Sequence, residues 1–213
     1  IEMNANIQFY DGMTTKDIQN VLVRSANDLI SLDAPNYQFA AARLLSYDVR
    51  KEAHGQYEYI PLLKLILRNI RMGVYDKGIL DTYNKTEIKK LNTWIKRERD
   101  LKFTYAGLRQ ICDKYLVQDR STGQLYETPQ DMYMMIAATL FAEYPEKTRL
   151  GYVKKYYDAI SQHKINIPTP VMAGVRTPIR QFASCVLVDT DDTLSSIFSS
   201  DMAIGLYVAR RAG

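Results

Sequence analysis

Runs of apolar residues at three- and four-residue spacing, most opened by a capping side chain and several closed by glycine, restrict this chain more than any other feature. A 3.6-residue period that buries one face commits a segment to amphipathic helix. Thr14 or Thr15 can cap a helix over 15–31, with Asp17 in its first turn and Ile18, Val21, Leu22, Leu29 and Ile30 on one face. Asp33-Ala34-Pro35 opens a second helix that Gly55 can stop, and Ile60 to Met72 forms a third ending at Gly73. Asn84 and Glu87 have capping-box spacing for a fourth, which carries Ile88, Leu91, Trp94 and Ile95 inward and a basic face outward. Tyr105, Leu108, Ile111, Cys112 and Tyr115 repeat the helical spacing, as do Thr128-Pro129-Gln130-Asp131 and, after Pro145, Leu150, Val153, Tyr157 and Ile160.

Three stretches depart from that period. Tyr115-Leu116-Val117 and Gln124-Leu125-Tyr126 flank Asp119-Arg120-Ser121-Thr122-Gly123, which reads as a β-hairpin. The segment 165–175 holds Pro168 and Pro170, so it is expected to be extended or looped. Cys185-Val186-Leu187-Val188 suits a short strand buried on both faces, and Ala203 to Arg211 reads as an apolar helix. The expected class is thus mainly α. Of the 213 residues, 46% are hydrophobic and 24% charged, which excludes a disordered or fibrous chain. No apolar run reaches the length of a membrane span and no secretion signal opens the chain, so a cytoplasmic location is expected. With only Cys112, Cys185, His54 and His163 as soft ligands, neither a disulfide framework nor a zinc site is expected. A net charge of +4 neither demands nucleic acid nor excludes a small anionic ligand.

Chemistry concentrates in 165–194. Pro168 and Pro170 hold the backbone around Thr169, whose hydroxyl and amide are either preorganised for a polar ligand or cap a turn. Cys185, following Ser184 at the head of the expected strand, is either a redox thiol projecting into a cleft or a buried small apolar residue. Cys112, on the apolar stripe of its helix, reads as core. Among Asp189, Asp191 and Asp192 one carboxylate can cap the next helix or accept from a sugar hydroxyl; the spacing is not that of a calcium loop. Lys89, Lys90, Lys96, Arg97, Arg99 and Lys102 cluster as a nucleic-acid surface would, but Glu87, Glu98 and Asp100 dilute them into a solvated helix face. Met132, Met134 and Met135 read as core filling.

The string Pro168-Thr169-Pro170-Val171-Met172-Ala173-Gly174-Val175-Arg176-Thr177-Pro178-Ile179-Arg180-Gln181-Phe182-Ala183-Ser184-Cys185-Val186-Leu187 resembles the substrate-site segment of the large, catalytic subunit of class I ribonucleotide reductase, of bacterial or bacteriophage type. The resemblance continues through Ile7 to Gly12, Asp33 to Gln38, Lys114 to Asp119 and Tyr207 to Gly213, and so covers essentially the whole chain. It implies a ribonucleoside-diphosphate reductase that uses a thiyl radical and a redox cysteine pair. Cys185 matches one member of that pair, with its partner outside this chain. Thr169 and Ser184 match positions near the substrate, and Asp192-Thr193-Leu194 the start of the specificity-effector site. Thr15 and Lys51 match nucleotide-contacting positions of the ATP cone, the regulatory cap that senses ATP against dATP.

The resemblance divides the chain into 1–53, the last helices of the ATP cone; 54–180, a helical N-terminal domain; and 181–213, the first strand and a helix of a ten-stranded α/β barrel otherwise absent. The basic hairpin that opens the cone finds no match before Ile1. The radical-bearing cysteine, the second redox cysteine and the tyrosines of the radical path find none after Gly213. The expectation is therefore a part of a subunit that does not turn over alone. Its implied partners are the rest of the large subunit, a radical-generating, metal-containing small subunit, thioredoxin or glutaredoxin, and a second copy of the complete subunit, with nucleotides as substrates and effectors. Neither nucleic acid nor membrane is an expected partner, and no metal or prosthetic group is expected on this chain. The alternative is a non-catalytic helical interaction or regulatory module.

Overall fold

A computed structural model describes residues 1–179 and 181–209. Arg180, Arg210 and Arg211, and with them the end of the apolar helix expected to reach Arg211, lie outside the described residues. The described chain is mainly helical. In order it forms α1 (Glu2–Asn6), α2 (Thr15–Asn27), α3 (Tyr37–His54), α4 (Leu62–Arg71), α5 (Gly78–Thr82), α6 (Lys85–Trp94), a 3₁₀ turn (Arg97–Lys102), α7 (Tyr105–Gln110) running into a π turn (Ile111–Tyr115), α8 (Pro129–Leu140), α9 (Glu146–Ile160), α10 (Thr169–Gly174) and α11 (Leu194–Ala209).

The core is organised around α8. Every residue from Pro129 to Ala138 is buried, so this helix is enclosed on all sides and the three methionines fill space within it. Its neighbours close polar gaps with side chains: the Tyr83 hydroxyl donates to the Ala138 carbonyl at 2.8 Å, and the Tyr157 hydroxyl donates to Gln130 Oε1 at 2.6 Å. Leaving such buried carbonyls and amides unpaired would cost about 1–3 kcal/mol each. At its N-terminus, Asp131 accepts from the Thr128 amide and hydroxyl and lies 2.7 Å from Arg97 and 3.1 Å from His54 Nε2. Burial opposes ionisation of Asp131, but Arg97 and His54 outweigh it and hold the carboxyl well below the usual range. α3 spans two environments, packing on α2 along one side and on α7 and the 3₁₀ turn along the other.

Several boundaries differ from the sequence reading. Thr14, and not Thr15, caps α2, its hydroxyl oxygen accepting from the Asp17 amide at 3.1 Å. α3 starts at Tyr37, two residues beyond Pro35. Gly55 and Gly73 terminate α3 and follow α4 with φ of +70° and +71°, the left-handed conformation those positions require. The segment expected to be extended or looped contains α10: Pro168 precedes the helix and Pro170 lies in its first turn, where amides have no intrahelical acceptor and a fixed φ is compatible with helix. The flanks of Asp119–Gly123 meet in one antiparallel bridge, Gln118 to Leu125, and no ladder extends it among the described residues. Cys185–Val188 is not a buried strand here: it carries no regular secondary structure and Leu187 is 98% exposed. A strand needs an adjacent strand to pair its amides, and none lies beside it among the described residues.

Asp100, 3% exposed in the 3₁₀ turn, is the acid most at odds with its surroundings. Burial pushes its carboxyl up to about 7, against the opposing effect of the Gln130 amide, which donates at 2.9 Å, and of Arg97. The folded state thus holds this proton more tightly than the unfolded chain, so its contribution favours folding most below about pH 4 and is lost as pH rises to about 7. Asp100→Asn keeps an acceptor for Gln130 and removes the charge. At pH above 7 the variant is expected to be more stable by up to roughly 4 kcal/mol, at about 1.4 kcal/mol per pKa unit. Denaturant unfolding at a series of pH values reads this out, and parallel pH profiles for the two proteins would refute it.

Candidate functional site

The proline-bounded segment is fixed to the helical body by one buried ion pair. Arg176 and Glu127 both have fully buried side chains, and the guanidinium grips the carboxylate with Nε 3.0 and 2.9 Å from its two oxygens and a further contact from a terminal nitrogen. Two further Arg176 hydrogens go to the carbonyls of Met172, at 2.6 Å, and Tyr115, at 2.8 Å. Glu127 in turn accepts from the Tyr75 hydroxyl at 2.5 Å and the Val117 amide at 2.8 Å. One node thereby ties the chain just after α10 to the π turn, to the segment entering α8 and to the loop before α5, where the Asp76 amide donates to the Arg176 carbonyl at 3.0 Å. Burial alone would favour a neutral Arg176, but Glu127 keeps it charged; Tyr75, fully buried against that carboxylate, is held well above its usual range. The sequence reading missed this node. The only signal was the Arg-Thr-Pro element, and nothing in the spacing pointed to a glutamate 49 residues earlier.

On this support Thr169 begins α10 in an exposed position, its hydroxyl 3.5 Å from that of Tyr115. Ser184 and Cys185 follow on an exposed segment, with the serine hydroxyl 3.9 Å from the sulfur. No hydrogen bond joins Thr169 to either of them among the described residues. Of the two cysteines, Cys112 is buried, and burial pushes its thiol up to about 12, which leaves it unreactive. Cys185 is open to solvent, so another thiol can reach it; pairing requires that the two Cα atoms approach to about 4.4–6.8 Å with their Cβ atoms facing one another.

Asp192, Thr193 and Leu194 are exposed at the start of α11. The helix is capped by the Thr193 hydroxyl, which accepts from the Ser196 amide at 3.2 Å, and not by a carboxylate. α11 itself is anomalous for a water-soluble surface: Phe198 is 67% exposed, and Leu194, Met202, Leu206 and Val208 are exposed as well. Leu194, Phe198, Met202 and Leu206 recur every four residues and so lie on one face of the helix.

Thr15 and Lys51, 36 positions apart in sequence (51 − 15), line one cleft of about 290 Å³ between α2 and α3. Tyr47 and Tyr57 wall it, with ring centroids 6.5 Å apart, and the Lys51 ammonium lies 5.4 Å over the Tyr57 ring. Gln124 closes one end because the Asp119–Gly123 turn docks on α3, with the Leu125 amide donating to Glu52 at 2.9 Å. A cation over one aromatic ring, with a second ring in the wall and a helix start beside it, is a setting for an anionic, partly aromatic ligand. The basic run 89–102 is divided: Lys89 and Lys90 are exposed, whereas Arg97 is spent on Asp131 and Arg99 on Asp158 at 2.8 Å. Among the described residues no three His, Cys, Asp or Glu side chains converge as metal ligands, and no helix is long and apolar enough to cross a membrane.

The family model described as the ribonucleotide reductase all-alpha domain matches residues 101–180. Full-length similarity extends further: the chain is 49% identical over 213 residues to ribonucleoside-diphosphate reductase 1 subunit alpha of Escherichia coli strain K12 and 47% identical over 213 residues to the subunit alpha of Haemophilus influenzae. To the subunit alpha of Enterobacteria phage T4 it is 44% identical over 214 aligned residues. In each case the whole of this chain is covered, and it spans 28% of the relative's length. The whole of this chain is therefore similar to part of the ribonucleoside-diphosphate reductase alpha subunits, and its residues 101–180 match the ribonucleotide reductase all-alpha domain.

Proposed function

We propose that this chain is part of a class I ribonucleoside-diphosphate reductase large subunit and supplies it with one redox cysteine and portions of the substrate and effector sites. The observation that carries the reading is Cys185: an exposed sulfur beside the Ser184 hydroxyl, in the chain that follows the buried Arg176 anchor. In the reaction, Cys185 and a cysteine outside this chain each give up a hydrogen and form a disulfide. The two electrons released replace the 2′-hydroxyl of a ribonucleoside diphosphate, so one diphosphate and two thiols yield one deoxyribonucleoside diphosphate, one disulfide and one water. Thioredoxin or glutaredoxin reopens the disulfide by thiol exchange, for which an accessible sulfur is a requirement. A small subunit provides the radical that starts each cycle.

Thr169 and Ser184 contact the substrate, and Asp192, Thr193 and Leu194 open the specificity-effector site. Thr15 and Lys51 hold ATP or dATP in the α2–α3 cleft. Residues 1–53, 54–180 and 181–213 act as cone, helical domain and barrel start in a cytoplasmic enzyme whose complete subunit self-associates. Lys51→Ala is expected to weaken ATP and dATP binding about tenfold or more, the scale of a lost charge-assisted phosphate contact. Equilibrium titration of the purified chain measures it, and equal affinities would remove the cleft from the reading.

The decisive experiment mixes the chain with the remainder of a large subunit and with the small subunit. Deoxyribonucleotide formation supports the reading, and its absence with every complementing piece overturns it. The exposed apolar face of α11 favours a second reading, a non-catalytic assembly module. Under that reading the mixture assembles, but no substrate is reduced and Cys185 has no measurable part.

A further inference from the structure

A second cavity, of about 210 Å³, lies on the other side of α3 from the Thr15–Lys51 cleft. Successive helical residues are offset by about 100°, so Arg43, Ser46, Tyr47 and Arg50 form one stripe of α3 and Asp48, Lys51 and Glu52 the next. The first stripe lines the second cavity, the other lines the cleft, and Tyr47 borders both.

Arg43 and Arg50 enter this cavity from α3, and Tyr59, Arg97, Glu98 and Asp100 face them. The Tyr59 ring is faced by two guanidiniums, Arg97 at 4.3 Å and Arg50 at 5.0 Å, and Arg50 also lies 4.7 Å from the Tyr47 ring. Stacking fixes these side chains and reduces the entropy lost when they grip a ligand. Arg97 is matched by Asp131, but no carboxylate is within ion-pair distance of Arg43 or Arg50 among the described residues. Two acids border the space: Glu98 is exposed, and the buried Asp100 is engaged by the Gln130 amide. The cavity is the smaller of the two beside α3, and its free donors are two guanidiniums and a hydroxyl, a set that matches the geometry of an oxyanion.

We infer that this cavity binds a small oxyanion of the phosphate class, held by the guanidiniums of Arg43 and Arg50 with the Ser46 hydroxyl as a further donor. The site does not depend on Lys51 or on the nucleotide reading of the neighbouring cleft.

The test titrates the full chain with inorganic phosphate at constant ionic strength and neutral pH, following backbone amide resonances. Saturable shifts are expected at Arg43, Ser46 and Arg50. Arg43→Gln, an exposed substitution whose unchanged melting is checked first, is expected to weaken binding about tenfold or more, while Lys51→Ala leaves it unaltered. Arg50→Lys retains charge but loses the planar fork, and is expected to weaken binding by a smaller factor. Shifts that rise linearly without saturating would overturn the inference. So would saturable shifts confined to Lys51 and Gly55 that vanish in Lys51→Ala, which would place the anion in the cleft. A parallel titration with ATP that moves Arg43 and Arg50 at lower concentration than phosphate would overturn the assignment to a small anion.

Discussion

Cys185→Ser is expected to abolish sustained deoxyribonucleotide formation in the reconstituted reductase while the polypeptides still assemble. The reaction consumes two electrons per turnover, and the proposed source is a thiol pair of which Cys185 is one half; a serine hydroxyl cannot form the disulfide. Loss of a reacting group from a covalent mechanism is felt on a scale of about a thousandfold or more, and no gain in reductant concentration can offset it. Because the side chain is exposed, with a 3.9 Å approach from Ser184 as its hydrogen-bond contact among the described residues, the substitution is expected to leave stability within about 0.5 kcal/mol of the original. Steady-state product formation and a melting curve together decide the matter. Multiple turnover at an undiminished rate in the variant would remove Cys185 from the mechanism.

The largest structural effect is expected from Arg176→Met. Methionine occupies the buried volume but leaves the Glu127 carboxylate without a counter-charge at a site with no solvent access, a situation that costs about 3–5 kcal/mol. For a chain of this size that corresponds to roughly 6–20 °C in melting temperature, at about 2–4 °C per kcal/mol. Adding Glu127→Gln removes the stranded charge, and the double variant is expected to recover part of the loss, since a neutral amide can still meet the Tyr75 hydroxyl and the Val117 amide. A single variant that melts with the original protein would show that the pair is energetically neutral. The node also has a functional consequence. It ties the end of α10 to the helical body, so its loss is expected to loosen α10 and the chain that follows it before the core melts.

The two effects separate cleanly because the side chains differ in burial: Cys185 is exposed and its proposed part is chemical, whereas Arg176 is buried and sets position. An intermediate result, in which Arg176→Met assembles but turns over slowly, fits that division. Comparing activity at temperatures well below both melting points isolates it.

The helical plan was legible in the sequence because its signals are local. The Asn84–Glu87 capping box, the Thr14–Asp17 start and the left-handed glycines 55 and 73 act within one helical turn, and each appears where the spacing placed it. The proline segment misled for a local reason too: Pro168 and Pro170 exclude a helix interior but not its first turn, and α10 has hardly more than that. Cys185 and the strings around it could be read as a resemblance, but their exposure could not, because burial depends on what packs against a segment and not on its own hydropathy.

What the sequence determined by itself was therefore the existence of most helices with their local caps and stops, the core role of Met132, Met134 and Met135, and the family likeness. Only the tertiary structure decided the pairing of Arg176 with Glu127, the meeting of Thr15 with Lys51 and the two cavities flanking α3. The physical reason is range. Hydrogen-bond caps and apolar periodicity are fixed by neighbours three or four residues away, whereas a buried charge finds its partner, and a cleft its two walls, only when segments tens of residues apart are packed into the same few ångströms.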